Sequence, residues 1–234
     1  MVRLALTLPV AAAVTLASAL AAAAAAALDR RGRWPRAVAG WWGRALLAVW
    51  GIRVEVAGHE NVPPGPAVFA ANHGSALDIP LVFGHLPVDF RIIHKRSLYL
   101  VPIVGLYLWL AGHIGIDRGN PFRARRSLES ASRRIARGTS VVVFPEGTRS
   151  PDESVQHFKR GSFVLALAAG VPVVPVSLAG VKRVAPGRFR ELRPGRVRLV
   201  IHPARATVGR AVDDAATLAE EVRLVVRDGC AASC

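Results

Sequence analysis

The chain reads as an α/β domain, a mixed, largely parallel sheet flanked by helices, with an N-terminal membrane-associated helical segment. Two observations carry that reading. From Gly51 onward, short runs rich in β-branched residues alternate with stretches of helical periodicity, the pattern of strand and crossover helix. Ahead of them, Leu4 to Leu28 is an apolar run without a single charge. At 234 residues the chain is long enough for one domain with a sizeable core plus such an appendage.

Taken in order, the first element is the Leu4–Leu28 run. As a helix it would measure about 37 Å, enough to cross a bilayer, although its alanine content weakens insertion. Only Arg3 precedes it, whereas Asp29, Arg30, Arg31, Arg33 and Arg36 follow. The positive-inside bias therefore puts the following domain on the cytoplasmic side. A cleaved secretory signal is the rival reading, since small residues at A-x-A spacing abound; a buried or interfacial helix is the third. Next, Trp34, Val38, Trp41, Trp42, Ala45, Val49 and Trp50 recur at helical spacing, with Pro35 in the first turn. This is either an in-plane helix at the membrane interface or an ordinary amphipathic helix packed on the domain.

Strands are expected at Ile52–Val56, Ala67–Ala71, Asp89–His94, His113–Ile116, Ser140–Phe144, Val171–Ser177 and Arg196–Ile201. Helices are expected at Ala76–His85, Ser97–Ala111, Pro121–Arg137, Gly161–Ala169 and Asp213–Arg227. Within the third of these, Ala124, Leu128, Ala131 and Ile135 form one apolar stripe, and the arginines between them form a solvated face. Ser97 to Ala111 is nearly all apolar and suits a core helix, an acyl-chain channel or a membrane-dipping helix. Residues 1–50 thus form an anchor and interfacial segment, 51–228 the α/β domain and 229–234 a C-terminal tail.

Composition narrows the function. The chain is 52% hydrophobic with a formal net charge of +15 and a mean hydropathy of +0.33. A greasy, basic chain points first to anionic membrane surfaces or anionic substrates. Cys230 and Cys234 are the only cysteines, which excludes a disulfide framework through the core and a four-cysteine zinc site.

Two motifs carry chemistry, and both stand at the exits of strands, where ligands gather in such folds. Asn72-His73-Gly74-Ser75-Ala76-Leu77-Asp78 follows the second expected strand. On one continuous helix His73 and Asp78 would point about 140° apart. They meet only if the histidine lies just before the helix and the chain turns back, with Ser75 as N-cap. Asp78 could then hold one imidazole nitrogen and leave the other to accept a proton. Phe144-Pro145-Glu146-Gly147-Thr148-Arg149 follows another strand. There Pro145 ends the strand, Gly147 permits a tight turn, the turn amides face an anion, and Arg149 is a bidentate phosphate ligand. Glu146 can orient an arginine or bond a substrate hydroxyl. Arg118 after Asp117, and Lys159-Arg160, add cations at further element ends.

With these residues in view, the chain resembles the lysophosphatidic acid acyltransferase family of glycerolipid acyltransferases. Four blocks match in order: Asn72-His73-x4-Asp78, Gly112-x3-Ile116-Asp117-Arg118, Phe144-Pro145-Glu146-Gly147-Thr148-Arg149-Ser150 and Val171-Pro172-Val173-Val174-Pro175-Val176. The resemblance implies transfer of an acyl chain from acyl-CoA or acyl carrier protein to a lysophospholipid hydroxyl, with 1-acylglycerol-3-phosphate giving phosphatidate. It implies His73 as general base and Asp78 as its orienter. Asn72, Arg118, Glu146, Gly147, Thr148 and Arg149 would bind the acceptor. An activated thioester needs no enzyme nucleophile, metal or cofactor. The implied partners are the lysophospholipid, the acyl donor and an anionic membrane, without nucleic acid. Gly115 stands where the family usually has a larger apolar residue, and in Lys95-Arg96-Ser97-Leu98 the serine replaces the usual Glu. Another lysolipid acceptor, a hydrolase using water, and a non-catalytic membrane-tethered lipid-binding protein are the competing readings.

Overall fold

A computed structural model of the chain describes residues 2–29, 33–117, 119–186 and 191–232. Its strands are β1 (Ile52–Ala57), β2 (Val68–Ala71), β3 (Phe90–Lys95), β4 (Ile114–Ile116), β5 (Ser140–Val143), β6 (Val173–Ala179) and β7 (Gly195–Ile201). They form one sheet in the order β1-β7-β6-β2-β5-β3-β4. Every neighbouring pair is parallel except β6 with β7. Strands β2, β5 and β6 are buried at every position. They read as unbroken apolar runs because helices cover both faces of the sheet. Since β2 to β6 run the same way, the segments that follow β2, β3, β4 and β5 emerge along one edge.

The helices are α1 (Val2–Leu28), α2 (Arg33–Val49), α3 (Asp78–His85), α4 (Val104–Leu110), α5 (Pro121–Ala136), α6 (Gly161–Ala169), α7 (Val181–Val184) and α8 (Ala215–Ala231). On one side of the sheet Leu46, Leu47, Leu77, Leu81 and Phe83 build a core with Phe69, Phe90 and Val174. On the other, Ala131, Ile135, Phe163, Leu165, Leu218 and Val222 pack against Val68, Val141 and Val173. The expected stripe of α5 holds, with Ala131 and Ile135 fully buried.

Four expectations need correction. The helix expected over Ser97–Ala111 breaks into a 3-10 turn (Arg96–Leu100), an extended turn and α4. Pro102 is the cause, since it has no amide hydrogen and bars the residue before it from helical geometry. The helix expected from Ala76 starts at Asp78, with Leu77 in the capping position. Ser75 instead heads a tight turn, its hydroxyl accepting the Leu77 N–H at 3.3 Å.

The tryptophan helix is rotated relative to the expected stripe. Ala39, Leu46 and Leu47 face the core, while Trp34 and Trp41 of the expected stripe remain 55% and 52% exposed. Close packing sets that rotation: a Cβ on Gly43 would overlap the Pro80 carbonyl oxygen, so α2 lies against α3 without a side chain between them. Lastly, α8 runs to Ala231. Cys230 is therefore a half-buried helical residue against the second core, and Cys234 lies outside the described residues.

Helix α1 is not a detached tail. Ala11, Ala22 and Ala25 are buried, and Trp42 Nε1 donates to Thr15 Oγ1 at 3.2 Å across the α1–α2 contact. Twenty residues from Thr7 to Ala26 are long and apolar enough to cross a membrane, with mean hydropathy 1.9.

Between β3 and β4 a buried histidine does the work of a backbone carbonyl. His113 Nδ1 accepts the Ile92 N–H at 2.9 Å. Burial, helped by the nearby Arg91 charge, pushes this imidazole down from 6.5 to about 3. The unfolded chain protonates His113 near 6.5 and the folded one only near 3. Its contribution is thus whole above pH 6.5 and is lost as pH falls through that window, by about 1.4 kcal/mol per unit. His113→Asn keeps an acceptor for Ile92 and removes the titration. Urea unfolding at pH 6.5 and pH 5 is expected to show a steeper loss of stability for the parent chain than for the variant.

Candidate active site

The site grows from the loop after β2. Asn72 extends the strand pairing with its side chain. Its Oδ1 accepts the Leu178 N–H at 2.8 Å, and its Nδ2 donates to the Leu178 carbonyl at 3.1 Å. The next residue, His73, is held from every side. Its N–H donates to Glu146 Oε1 at 2.8 Å, and its carbonyl accepts the Ser150 N–H at 2.7 Å. Its ring lies on Phe144, with centroids 4.4 Å apart. The loop after β2 and the loop after β5 are thereby stapled together.

Asp78 opens α3 and is fully buried. Its Oδ2 accepts the Ser75 N–H at 2.9 Å and meets His73 Nδ1 at 2.7 Å. A carboxylate oxygen can only accept here, so Nδ1 carries the proton and Nε2 is left as the acceptor. The imidazole is therefore set up to receive a proton at Nε2.

His73 stands in the wall of a cavity of about 380 Å³. Gly147, Arg149, His94 and Lys95 join it in the lining, together with the apolar side chains of Phe83, Leu108, Trp42 and Ala22 and the ring of Tyr107. Helix α1 contributes Thr15, Ser18 and Ala19 to the same wall. Gly147 adopts φ 75°, a left-handed conformation that suits glycine, and its N–H closes the turn onto the Phe144 carbonyl at 3.1 Å. That turn sends the chain back so that Arg149 reaches the cavity. Among the described residues Arg149 forms no ion pair. The space thus combines a proton acceptor, exposed cations and an apolar chamber.

The structure sorts the expected site residues. His73, Gly147 and Arg149 line the cavity, and Asp78 supports His73 from behind. Asn72 and Glu146 do not line it; both line a second, much smaller pocket that His73 also reaches. Glu146 is 3% exposed, and burial raises its carboxyl above the ordinary range, partly offset by the His73 N–H. Thr148 is exposed and outside the cavity lining. Arg118 lies outside the described residues. Lys95 and His94, at the end of β3, are cavity residues that sequence reasoning did not single out. The signal was available, because a cation ending a parallel strand falls on the same edge as His73. Tyr99 explains the small residue at 115. Its ring lies over Gly115, where a Cβ would come within 2.5 Å of it, and its hydroxyl donates to the His113 carbonyl at 2.8 Å.

The family model described as Acyltransferase matches residues 53–179. A 1-acyl-sn-glycerol-3-phosphate acyltransferase of Chlamydomonas reinhardtii is 43% identical over 155 residues, covering 65% of this chain and 46% of that protein. The 1-acyl-sn-glycerol-3-phosphate acyltransferase alpha of Ovis aries is 38% identical over 177 residues, 75% of this chain and 62% of its own. The chain thus spans about half the length of the curated relatives it matches. Among solved structures, the 1-acyl-sn-glycerophosphate (LPA) acyltransferase PlsC from Thermotoga maritima superposes with a TM-score of 0.74 at 32% identity, covering 86% of this chain and 81% of that one.

Proposed function

Because this chain belongs to the acyltransferase family, we propose that it transfers an acyl group from a thioester to the free hydroxyl of 1-acylglycerol-3-phosphate, giving phosphatidate. The observation that carries the proposal is one shared space. His73, oriented by a buried Asp78, faces a largely apolar chamber whose lining also includes the cations Arg149 and Lys95. A lysophosphatidate has matching parts: an acyl chain, a hydroxyl and a phosphate. The phosphate suits the cations, and the acyl chain suits the apolar lining.

The reaction balances without further groups. As the acceptor oxygen attacks the thioester carbonyl carbon, its proton passes to His73 Nε2. The tetrahedral intermediate then expels the thiolate by breaking the C–S bond, and the thiolate takes the proton back from Nε2. The products are an ester and a thiol, and His73 returns to its starting state. Asp78 holds the tautomer throughout and stabilises the imidazolium while it exists. The donor is the thioester of CoA or of an acyl carrier protein; both carry the same reactive carbon. Asn72 and Glu146 act on His73 as positioning residues, and Arg149, Gly147 and Lys95 face the acceptor. Arg118 belongs with the acceptor-binding set on the resemblance alone. Thr148, exposed and outside the cavity, carries less of that assignment.

Membrane association rests on α1. It is apolar along Thr7 to Ala26 and also walls the cavity, which argues for a retained segment that works with the domain. The arginines that follow it favour the cytoplasmic face.

The direct assay is thiol release from a long-chain acyl-CoA by detergent-solubilised protein, with and without lysophosphatidate. Acceptor-dependent release that falls by about 10²–10⁴ in His73→Ala is expected. Release without acceptor would point to hydrolysis, and release only with a different headgroup would replace the acceptor. Arg149→Ala is expected to raise the KM for lysophosphatidate by about tenfold or more, as loss of a charge-assisted contact would, while leaving the KM for the donor within about twofold. Equal losses with a phosphate-free acceptor would contradict the phosphate contact.

A further inference from the structure

Ser97 to Gly112 contains no charged residue, yet much of it faces outward. Leu100 is 85% exposed, Trp109 69%, Leu106 56%, Ile103 51%, Val104 46% and Val101 41%. A helix face in water is ordinarily polar, and a contiguous apolar patch of this kind marks a docking surface. Only Gly105 and Leu108 of α4 are buried, so the helix is seated by one side and presents leucine and tryptophan on the other.

The backbone reinforces the point. Ile103 has φ 66° and ψ −55°, and the Val104 N–H donates to the Pro102 carbonyl at 2.7 Å. That is a γ-turn of the rare, strained hand, centred on a β-branched residue in a positive-φ conformation. Strain of this sort persists where the surroundings require a particular projection. Here it holds a side chain that is half exposed and also lines the cavity.

What covers this surface follows from its neighbours. Helix α1 touches α4, and its own Leu16 and Leu20 are 52% and 65% exposed, so both of these neighbouring helices carry apolar side chains on the surface. The cavity is walled by α1 through Ala19 and Ala22 and by this segment through Leu98, Ile103 and Val104. The segment also begins beside the exposed cations Lys95 and Arg96, which suit anionic headgroups. We propose that the stretch from Ser97 to Gly112 is a second membrane-docking surface, seated in the acyl-chain region of the bilayer beside α1, and that the acceptor's acyl chain slides sideways between the two into the cavity. The docking rests on exposure and charge alone; the acceptor's route rests on the acyl-transfer reading.

The test uses the full chain on phosphatidylcholine–phosphatidylglycerol vesicles, with Cys230 and Cys234 replaced by serine. Leu100→Cys and Leu106→Cys carry a bimane label. Val208→Cys is the control, since Val208 is 87% exposed and follows the Arg205–Val173 bridge at the opposite edge of the sheet. Nitroxides on the lipid acyl chains are expected to quench the labels at 100 and 106 but not at 208. Quenching no stronger than at 208, or quenching only by headgroup nitroxides, would overturn the docking and leave the surface to a protein partner. The paired change Leu100→Glu with Leu106→Glu, which leaves α1 and the cavity lining intact, is expected to raise the apparent KM for a vesicle-borne long-chain acceptor by about tenfold or more. Turnover of a short-chain acceptor dissolved as monomer should stay unchanged; an equal loss on both would overturn lateral entry. Quenching at 100 and 106 with no thiol release by the parent chain would leave the docking standing and overturn the acyl-transfer reading.

Discussion

A helix cannot bring His73 and Asp78 face to face, and the rest of the site is built around that constraint. Five residues apart, the two side chains would diverge by about 140° on helical backbone. The 2.7 Å contact between Nδ1 and Oδ2 therefore requires the chain from Asn72 to Leu77 to stay irregular. Irregular backbone in the middle of a domain leaves amides and carbonyls in need of partners. The molecule supplies them individually. Asn72 continues the strand pairing to Leu178, Glu146 takes the His73 amide, and the Ser150 amide takes the His73 carbonyl. Asp78 itself takes the Ser75 amide on the oxygen that holds His73.

The Phe144–Ser150 motif accordingly has two jobs on two sides. Glu146 fixes the His73 peptide from outside the cavity, whereas Phe144, which lies on the His73 ring, lines the cavity together with Gly147 and Arg149. Burying the Glu146 carboxyl is costly, and burial raises its protonation range. Asp78 Oδ1 and Glu146 Oε2 have no hydrogen-bond partner among the described residues. Such polar imbalance is expected where a fold is specialised for a site. Two large apolar cores, one on each face of the sheet, offset it.

Much of this was legible in the sequence because the period of apolar residues is a strong signal. All seven strands fall where β-branched runs stand, and the α5 stripe faces the core, fully buried at Ala131 and Ile135 and half-buried at Ala124 and Leu128. The His73–Asp78 contact was legible as well, since that spacing closes when the histidine lies just before the helix and the chain turns back. Other features turn on tertiary context that a single sequence does not carry. The break at Pro102 was visible as a residue but hidden within an apolar run that suits a helix. The rotation of α2 depends on Gly43 meeting the Pro80 carbonyl, a contact between distant segments. The partners of Asn72 and Glu146 are backbone groups, which leave no mark on side-chain patterns. Lys95 carried no such mark in the sequence, and only the sheet order puts the end of β3 beside β5.

The role proposed for Asp78 is to make His73 a proton acceptor at Nε2. Its most direct test is Asp78→Asn, with kcat and both KM values measured for thiol release from acyl-CoA. An amide in place of the carboxylate can donate to Nδ1 and favour the wrong tautomer. The account predicts a fall in kcat of about 10³–10⁴ with the KM for lysophosphatidate little changed and thermal unfolding still cooperative. A fall in kcat of less than about tenfold, or a loss expressed in KM alone, would contradict it.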